Sequence, residues 1–311
     1  MGQMDLLRPF RGLINPMATP LATPDQLDVA GVERLVPHIL AGGVSALFIL
    51  GTTGEGPSLS HRTRRELIER VTRLAGTKVP VLVAITDTSR QESVELANFA
   101  AAQGASGLVL AAPYYYPMTQ TDLAGYVERL APELPLPFFL YNMPSHTKVD
   151  FEPETVRRLA DLPKVQGLKD SSGDLDYFRD VHHAVGDRSD FALLMGPEEL
   201  LVEAMRIGAH GGVCGGSNVF PELFVNLYQA ARDGRRAEIV RLQDLVVRFG
   251  RGVYTAGDNY LRGLKCALSV AGLCSDVMAE PFQPVEPGER DQVRRALLDL
   301  GLLPQPVSSA L

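Results

Sequence analysis

The sequence predicts an α/β protein that folds as a TIM (β/α)8 barrel followed by a C-terminal helical extension. Three observations predict it: short apolar runs, amphipathic segments between them, and purely helical patterns towards the end of the chain. The runs are nearly continuous in apolar character, as expected for parallel strands that are buried on both faces. Eight such runs occur, at Leu13–Ala18, Val44–Leu50, Val79–Ile85, Gly107–Ala111, Pro137–Tyr141, Val165–Lys169, Phe191–Met195 and Gly212–Gly216.

The segments between the runs carry helix signals. Ser89 lies three residues before Glu92, which is the spacing of a capping box at a helix start. Apolar residues then recur every three or four positions, as a buried helix face requires. Strand–helix units repeated over roughly 220 residues favour a TIM barrel. A doubly wound open sheet is the alternative, because the same alternation builds it. No GxGxxG motif follows the first run to indicate a dinucleotide-binding version of that sheet.

Helical stripes replace the strand signals from about Pro221 onwards. Phe224, Leu227, Tyr228 and Ala231 recur at helical spacing, and two similar stripes follow them. No linker of low complexity separates these stripes from the alternating part. We therefore predict a barrel with the active site over residues 1–222 and a helical extension over residues 223–311.

The composition argues against several classes of partner. Of the 311 residues 45% are apolar, and 30 basic against 37 acidic side chains give a net charge of −7, which disfavours nucleic acid. No apolar stretch of about 20 residues could span a membrane, and residues 1–12 lack the apolar stretch of a signal peptide. Three cysteines are too few for a disulfide framework, so we predict a cytoplasmic protein.

The histidines do not indicate a metal site. There are six, and their spacing matches no common ligand pattern, since the adjacent His182 and His183 cannot share one helix face. We therefore expect no metal and no other cofactor. His146 differs from the others only in following Tyr141 in the same loop.

Lys169 is the first candidate for catalysis, because active sites of TIM barrels lie where the strands end. It closes the sixth apolar run, where burial disfavours the ammonium form. A neutral amine can attack a carbonyl carbon and form an imine. The alternative is a structural ion pair of Lys169 with Asp170, Asp174 or Glu55. Position alone leaves both interpretations open.

Two further strand ends carry groups that suit such chemistry. Tyr141 closes the neighbouring fifth run, and its phenol could shuttle protons for an imine mechanism. It could equally be a core ring with a hydrogen-bonded tip. The second run leads into Gly51–Gly54, where the hydroxyls of Thr52 and Thr53 and the backbone N–H groups could bind a carboxylate. An ordinary turn is the alternative there.

Four short segments together resemble a known family. They are GTTGE at 51–55, PYY at 113–115, YNMP at 141–144 and GLKDSSGD at 167–174. Each is weak alone, but in this order and spacing the chain resembles the dihydrodipicolinate synthase/N-acetylneuraminate lyase family of class I pyruvate-dependent aldolases. The resemblance covers the chain from Gly12 to the C-terminal helices. It implies a lyase that binds its 2-oxo acid as an imine.

The resemblance also implies a role for the candidate residues. Lys169 forms the imine with the 2-oxo group, and Tyr141 is the acid/base beside it. Thr52 and Thr53 hold the carboxylate of pyruvate, in the loop that Gly51 begins.

A proton relay is implied as well, and it spans two subunits. Thr52 would join Tyr141 to Tyr115, and in this family the second tyrosine comes from a neighbouring subunit. The resemblance therefore implies a homo-oligomer, an obligate dimer that usually pairs into a tetramer.

One departure from the synthase pattern bears on the second substrate. Synthases that use aspartate semialdehyde have an arginine where this chain has His146, and a mostly neutral histidine cannot replace that fixed charge. Glu198 and Glu199 instead match acidic positions that hold sugar hydroxyls in sugar-acid lyases, in a loop that Gly196 begins. Ser171 matches a hydroxyl-bearing position beyond the lysine.

The expected function is therefore the formation of a hydroxylated 2-oxo acid from pyruvate and an aldehyde, or its cleavage to these two compounds. The substrate would be a 2-keto-3-deoxy sugar acid or of the 4-hydroxy-2-oxoglutarate type. The first alternative is a 4-hydroxy-tetrahydrodipicolinate synthase, if another cation replaces the missing arginine. Further alternatives are a sugar-acid dehydratase and a non-catalytic regulator that binds 2-oxo acids.

Overall fold

Eight parallel strands close into a barrel in the computed structural model, which describes residue 6 and residues 8–303. The strands follow one another in chain order, and the last pairs with the first. They are β1 (Gly12–Pro16), β2 (Ala46–Ile49), β3 (Val81–Ala84), β4 (Gly107–Ala111), β5 (Phe138–Asn142), β6 (Val165–Asp170), β7 (Ala192–Met195) and β8 (Gly211–Val213). The predicted barrel is confirmed, and the open sheet is wrong.

A helix follows each strand on the outside of the barrel. The eight are α1 (Val29–Ala41), α2 (His61–Ala75), α3 (Arg90–Ala102), α4 (Gln120–Leu130), α5 (Pro153–Ala160), α6 (Leu175–Ala184), α7 (Leu201–Ile207) and α8 (Pro221–Asp233). Side-chain caps fix several of their starts. The hydroxyl of Ser89 accepts from Glu92 N at the start of α3, and the carboxylate of Asp174 accepts from Asp176 N at the start of α6.

Strand alternation divides the core into two parts. Side chains that point inwards fill the barrel, among them Ile14, Phe48, Leu82, Phe139 and Leu194. Their neighbours in the chain point outwards and pack against the helices. The barrel is therefore a packed core whose carboxyl-terminal mouth is left to polar side chains. A short hairpin after β1, Leu21–Thr23 with Gln26–Leu27, was not predicted, because its strands are too short for a periodic signal.

Three further helices form the C-terminal extension. They are α9 (Arg236–Val253), α10 (Tyr260–Val270) and α11 (Pro287–Asp299). Helix α9 packs on α8, and α11 packs on α9 and α10. The predicted division after residue 222 stays a prediction; that point lies in the first turn of α8, which packs against β1.

The predictions on targeting, membrane spans and metal binding can be compared only with the described part of the chain. Residues 1–5, 7 and 304–311 lie outside it, and they include half of the N-terminal segment 1–12 on which the signal-peptide prediction depends. Among the described residues, no helix is both long and apolar enough to cross a membrane. The same residues include no cluster of three or more histidine, cysteine or acidic side chains placed to hold a metal ion.

Candidate active site

Lys169 and Tyr141 lie side by side at the mouth of the barrel. The register pairs Tyr141 on β5 with Lys169 on β6, and both side chains point inwards. Successive residues of a strand point to opposite faces, so the next pair, Asn142 and Asp170, is buried on the other side of the strands. There Asn142 Nδ2 donates to Asp170 Oδ1 at 3.0 Å. The outer pair thus links the two strands behind the inner pair.

The amine of Lys169 lies against aromatic rings. Its side chain is only 7% exposed, and Nζ lies 3.8 Å from the ring centroid of Tyr141 and 5.2 Å from that of Phe48. Aromatic faces attract a cation more weakly than a carboxylate does, so the nitrogen lies against rings and without a strong ionic partner. This contact places the nitrogen inside a cavity and beside a phenol.

None of the three acids proposed as ion-pair partners forms an ion pair with Lys169. Glu55 pairs with Lys265, Asp170 accepts from Asn142 and Ser172, and Asp174 caps α6. Within residue 6 and residues 8–303, Lys169 forms no ion pair. The structure therefore argues against the alternative that Lys169 serves only as a partner in a structural ion pair.

The pKa of Tyr141 is shifted by its neighbours. Burial by itself would raise the pKa of Tyr141, but the positive charge of Lys169 and the hydrogen bond with Thr52 lower it below its ordinary value. The Tyr141 hydroxyl lies 3.1 Å from Thr52 Oγ1. A phenol with a lowered pKa gives up and regains a proton more readily, which suits general acid–base work.

The 51–55 loop is held in an unusual backbone conformation. Leu50, just before the loop, and Glu55, at its end, have φ of 61° and 53°, in the left-handed region that non-glycine residues seldom adopt. At Gly51 an added Cβ would lie 2.7 Å from the ring of Phe48, so only glycine fits there. Thr53 Oγ1 lies 2.6 Å from the hydroxyl of Tyr260, and Thr53 is buried whereas Thr52 is half-buried. The loop therefore presents Thr52 to the cavity.

Two adjoining cavities meet at Thr52, Tyr141, Met143 and Tyr260. The smaller, of about 230 Å³, contains Lys169. It brings together most of the predicted site residues: Lys169, Tyr141, Thr52, Thr53, Ser171, Gly196, Glu198 and Glu199. The larger, of about 510 Å³, is lined by Gly51 and His146 along with many apolar side chains.

Tyr115 lies apart from these cavities. It is 69% exposed and stacks edge to face on Tyr116, with ring centroids 4.9 Å apart. Its neighbour Tyr114 lines the larger cavity instead. Within one chain, Tyr115 cannot complete a relay with Thr52 and Tyr141.

His146 lies at the rim of the larger cavity, on the one-turn helix Pro144–Thr147. Its Nδ1 lies 2.9 Å from the hydroxyl of Ser145. Partial desolvation, and then the positive charge of Lys169, lowers the pKa of His146 below its ordinary value. It is therefore neutral near pH 7. Among the described residues that line this cavity, the only charged side chain is Glu55, which pairs with Lys265.

Glu198 is buried in the wall of the smaller cavity, whereas Glu199 is exposed at its rim. Glu198 accepts from Gly216 N at 2.9 Å and from the hydroxyl of Tyr254 at 2.7 Å. Burial raises its pKa to about 7, although these hydrogen bonds oppose the shift. The carboxyl group is therefore partly protonated near neutral pH.

Glu198→Gln is expected to flatten the dependence of stability on pH. Between about 4.5 and about 7 the folded chain keeps a proton on Glu198 that the unfolded chain has lost, so this group makes the protein less stable as pH rises through that range. Glutamine keeps an acceptor but does not titrate. Urea unfolding at pH 5 and at pH 8 measures how far the free energy of unfolding falls between the two. This fall should be larger in the wild type than in the variant, by up to about 3 kcal/mol. Parallel profiles would contradict the burial of an ionisable Glu198.

Sequence reasoning missed the tyrosines of the extension. Tyr254 and Tyr260 both line the smaller cavity, although they lie far from the strand ends in the chain. They flank the break between α9 and α10, where Gly257 adopts a φ of 69°. That glycine signals a turn, but no local pattern shows that the turn faces the barrel mouth.

Comparisons with known proteins identify the family. A model of the dihydrodipicolinate synthetase family matches residues 9–300. The chain is 32% identical over 296 residues to the 4-hydroxy-tetrahydrodipicolinate synthase of Phenylobacterium zucineum, covering 94% of this chain and 98% of that protein. It is 31% identical over 294 residues to a DapA-like lyase of Halobacterium salinarum, covering 94% and 95%.

Solved structures agree in fold. The dihydrodipicolinate synthase of Bacteroides thetaiotaomicron superimposes with a TM-score of 0.92 at 50% identity, covering 94% of this chain and all 100% of that one. YagE of Escherichia coli K12, solved in complex with pyruvate, gives 0.90 at 29% identity, covering 94% and 99%. The chain therefore belongs to the dihydrodipicolinate synthetase family, and it is a lyase.

Proposed function

We propose that this lyase is a Schiff-base aldolase that forms or cleaves a hydroxylated 2-oxo acid from pyruvate and an aldehyde. The observation that carries the proposal is the buried Lys169 amine, 3.8 Å from the ring centroid of Tyr141 and without a carboxylate partner among the described residues. A desolvated amine beside a phenol is the arrangement that imine chemistry requires. No metal takes part in the proposed steps.

The proposed reaction begins when Lys169 Nζ attacks the keto carbon. Tyr141 passes protons between the nitrogen and the hydroxyl that leaves as water, which produces a protonated imine. In cleavage the bond between the third and fourth carbons breaks. Its electron pair moves towards the imine to give an enamine, and the hydroxyl proton is lost as the aldehyde forms. Protonation of the enamine and hydrolysis then release pyruvate and the free amine.

Pyruvate is proposed as the common substrate for two reasons. YagE and the dihydrodipicolinate synthase of Acinetobacter baumannii were both solved in complex with pyruvate. In this chain, Thr52 and Thr53 lie beside the Lys169 cavity, where hydroxyl groups could bind a small carboxylate.

The distal end of the substrate is proposed to carry hydroxyl groups. Ser171, Glu198 and Glu199 line the smaller cavity and could accept or donate hydrogen bonds to hydroxyls. Gly196 leaves room there, because a Cβ at that position would lie 2.0 Å from the hydroxyl oxygen of Ser171. These contacts favour a 2-keto-3-deoxy sugar acid or a 4-hydroxy-2-oxoglutarate type substrate.

A 4-hydroxy-tetrahydrodipicolinate synthase is the second candidate. It is favoured by the names of several relatives, including the one that is 32% identical. A sugar-acid dehydratase would use the same imine and expel water instead of breaking a carbon–carbon bond. A non-catalytic binder is disfavoured, because Lys169 and Tyr141 are both present and in contact. A panel of 2-oxo acids, assayed for pyruvate and for dehydrated product together, distinguishes these candidates.

The neutral His146 leads to a prediction on substrate choice. Without a fixed cation, a distal carboxylate would lose hydrogen bonds worth on the order of 1–3 kcal/mol, or roughly tenfold to hundredfold in kcat/KM. We therefore expect weak condensation of pyruvate with aspartate semialdehyde and better turnover of a polyhydroxylated 2-oxo acid. His146→Arg should shift the ratio of the two kcat/KM values towards aspartate semialdehyde. If the wild type prefers aspartate semialdehyde by tenfold or more, the synthase takes the place of the proposed aldolase.

Assembly is proposed to complete the site. Tyr115 is exposed in the single chain, so it is free to reach the Thr52–Tyr141 pair of a second copy. We propose a homo-oligomer built from such dimers. The cytoplasmic location also stays a prediction; the three cysteines are free and buried.

Complementation tests the shared site. Neither Lys169→Ala nor Tyr115→Phe chains should be active alone, because each lacks one half of every site. Mixed dimers place an intact Lys169 opposite an intact Tyr115 in one of their two sites. Random mixing should therefore recover roughly a quarter of wild-type activity in a symmetric dimer. No recovery, together with a monomer on sedimentation, would contradict the proposal.

A further inference from the structure

A buried ion pair joins the 51–55 loop to the C-terminal extension. Lys265 Nζ lies 2.6 Å from Glu55 Oε1, and only 2% of each side chain is exposed. Both partners have a second contact. Glu55 Oε2 accepts from Ala279 N at 2.8 Å, and Lys265 Nζ donates to Val277 O at 2.6 Å. The pair thus ties the loop to helix α10 and to the segment that follows it.

The same helix contacts the loop at a second point. Tyr260 lies at the start of α10, and its hydroxyl lies 2.6 Å from Thr53 Oγ1. Tyr260 and Lys265 are five residues apart in one helix, so their separation is rigid. Thr53 and Glu55 are two residues apart in the loop. Helix α10 therefore holds the loop at two residues, Thr53 and Glu55.

The loop needs such a hold because its backbone is strained. Glu55 itself has a φ of 53°, a conformation that costs a non-glycine residue free energy and persists only when its surroundings enforce it. A relaxed Glu55 would rotate the preceding residues. Thr52, whose hydroxyl lies 3.1 Å from that of Tyr141, would then move relative to Lys169.

Stability alone does not explain the pair. Removing two charges from water is costly, and apolar residues of similar volume often serve a fold as well or better. The loop, by contrast, has to place two hydroxyls against a small ligand, where displacements of an ångström matter. The pair is also outside the lining of the cavity that contains Lys169, so it has no direct contact with a ligand there.

We infer that Glu55 and Lys265 are positioning residues, which act through the loop to place Thr52 and Thr53 for the carboxylate of pyruvate. The C-terminal extension is then part of the machinery for binding the 2-oxo acid. This inference rests on the proposed function, since it concerns the carboxylate of the imine-forming substrate.

The decisive variant is the double substitution Glu55→Gln with Lys265→Met. It removes both charges, keeps the side-chain volumes close, and leaves an acceptor for Ala279 N, so the barrel should fold. Borohydride trapping of pyruvate on Lys169 gives two readouts, the amount of adduct at saturation and the pyruvate concentration for half-maximal trapping. We expect full adduct at saturation, a melting temperature close to that of the wild type, and a half-saturating concentration raised about tenfold.

Two further variants guard against a purely structural explanation. Arg290→Met breaks the Arg290–Asp276 pair within the same extension but leaves the Glu55–Lys265 pair in place, and it should leave half-saturation within about twofold of the wild type. Tyr260→Phe removes the second contact without touching a charge, and should raise half-saturation by roughly threefold to tenfold.

The outcomes separate the inference from the proposed function. If the wild type forms no adduct on Lys169, the proposed function fails and the inference falls with it. If the wild type forms the adduct but half-saturation is unchanged in the double variant, only the inference is overturned. An equal rise in Arg290→Met would likewise overturn it, because the effect would then come from general loosening of the extension.

Discussion

Lys169→Ala should abolish turnover while leaving the barrel folded. The side chain closes a strand and contacts Tyr141 and Phe48, so its loss removes the proposed nucleophile and little core packing. We expect kcat/KM to fall by roughly 10⁴-fold or more. Far-ultraviolet circular dichroism and the melting temperature should stay close to those of the wild type.

Borohydride trapping tests which lysine forms the imine. The sequence contains only five lysines, Lys78, Lys148, Lys164, Lys169 and Lys265, so a borohydride-reduced pyruvate adduct can be assigned to one of them by peptide mass spectrometry. We expect the adduct on Lys169 alone. Lys265 is also buried but forms an ion pair with Glu55, and Lys164 donates to the carbonyl of Pro132.

A matched control is Lys164→Ala, which removes a lysine from the opposite end of the same strand. It should keep both the adduct and the activity. An adduct on another lysine, or none on a folded wild type, would rule out the imine mechanism.

Tyr141→Phe should lower kcat by roughly 10²- to 10⁴-fold, because proton transfer by a positioned group contributes about that much. The ring contact with Lys169 would remain, and so would the edge-to-face contact with Phe48 at 6.4 Å between centroids. Only the hydroxyl is lost, so KM for pyruvate should change much less than kcat. Imine formation, followed by trapping over time, should be slowed without being prevented.

The pH profile provides a second test of Tyr141. Its pKa is lowered by Lys169 and Thr52 against the effect of burial. The alkaline limb of the wild-type kcat profile should therefore lie below the ordinary pKa of tyrosine, and it should vanish in Tyr141→Phe. Tyr228→Phe is the control, since that tyrosine is buried by the start of β8, with its hydroxyl 3.5 Å from His210 O. Equal losses in the two variants would show that the effect is one of packing.

Local pattern was enough to predict the barrel and the proximity of Lys169 and Tyr141. Each apolar run overlaps a strand because a strand buried on both faces needs apolar side chains throughout. Chain order then makes β5 and β6 neighbours, since consecutive parallel strands joined by a helix lie side by side. The positions of Tyr141 and Lys169 at the ends of these runs therefore predict that the two side chains lie close together.

The partners of the charged groups could not be predicted in the same way. Sequence left Glu55, Asp170 and Asp174 as equal candidates to pair with Lys169, and the structure assigns each of them elsewhere. Glu55 pairs with Lys265, which lies 210 positions further along the chain. An ion pair depends on where two surfaces meet, and periodicity carries no information on that.

The sequence by itself predicted the barrel, the C-terminal helices, Lys169 and Tyr141 at neighbouring strand ends, and the threonine loop at another strand end. Only the tertiary structure decided that Lys169 stays free of carboxylates, that Glu198 is buried against Tyr254, and that α10 holds the 51–55 loop. The physical reason is the range of the forces involved. Hydrophobic burial acts on each segment through its own pattern of side chains, whereas hydrogen bonds and ion pairs act over a few ångströms and need both partners in place.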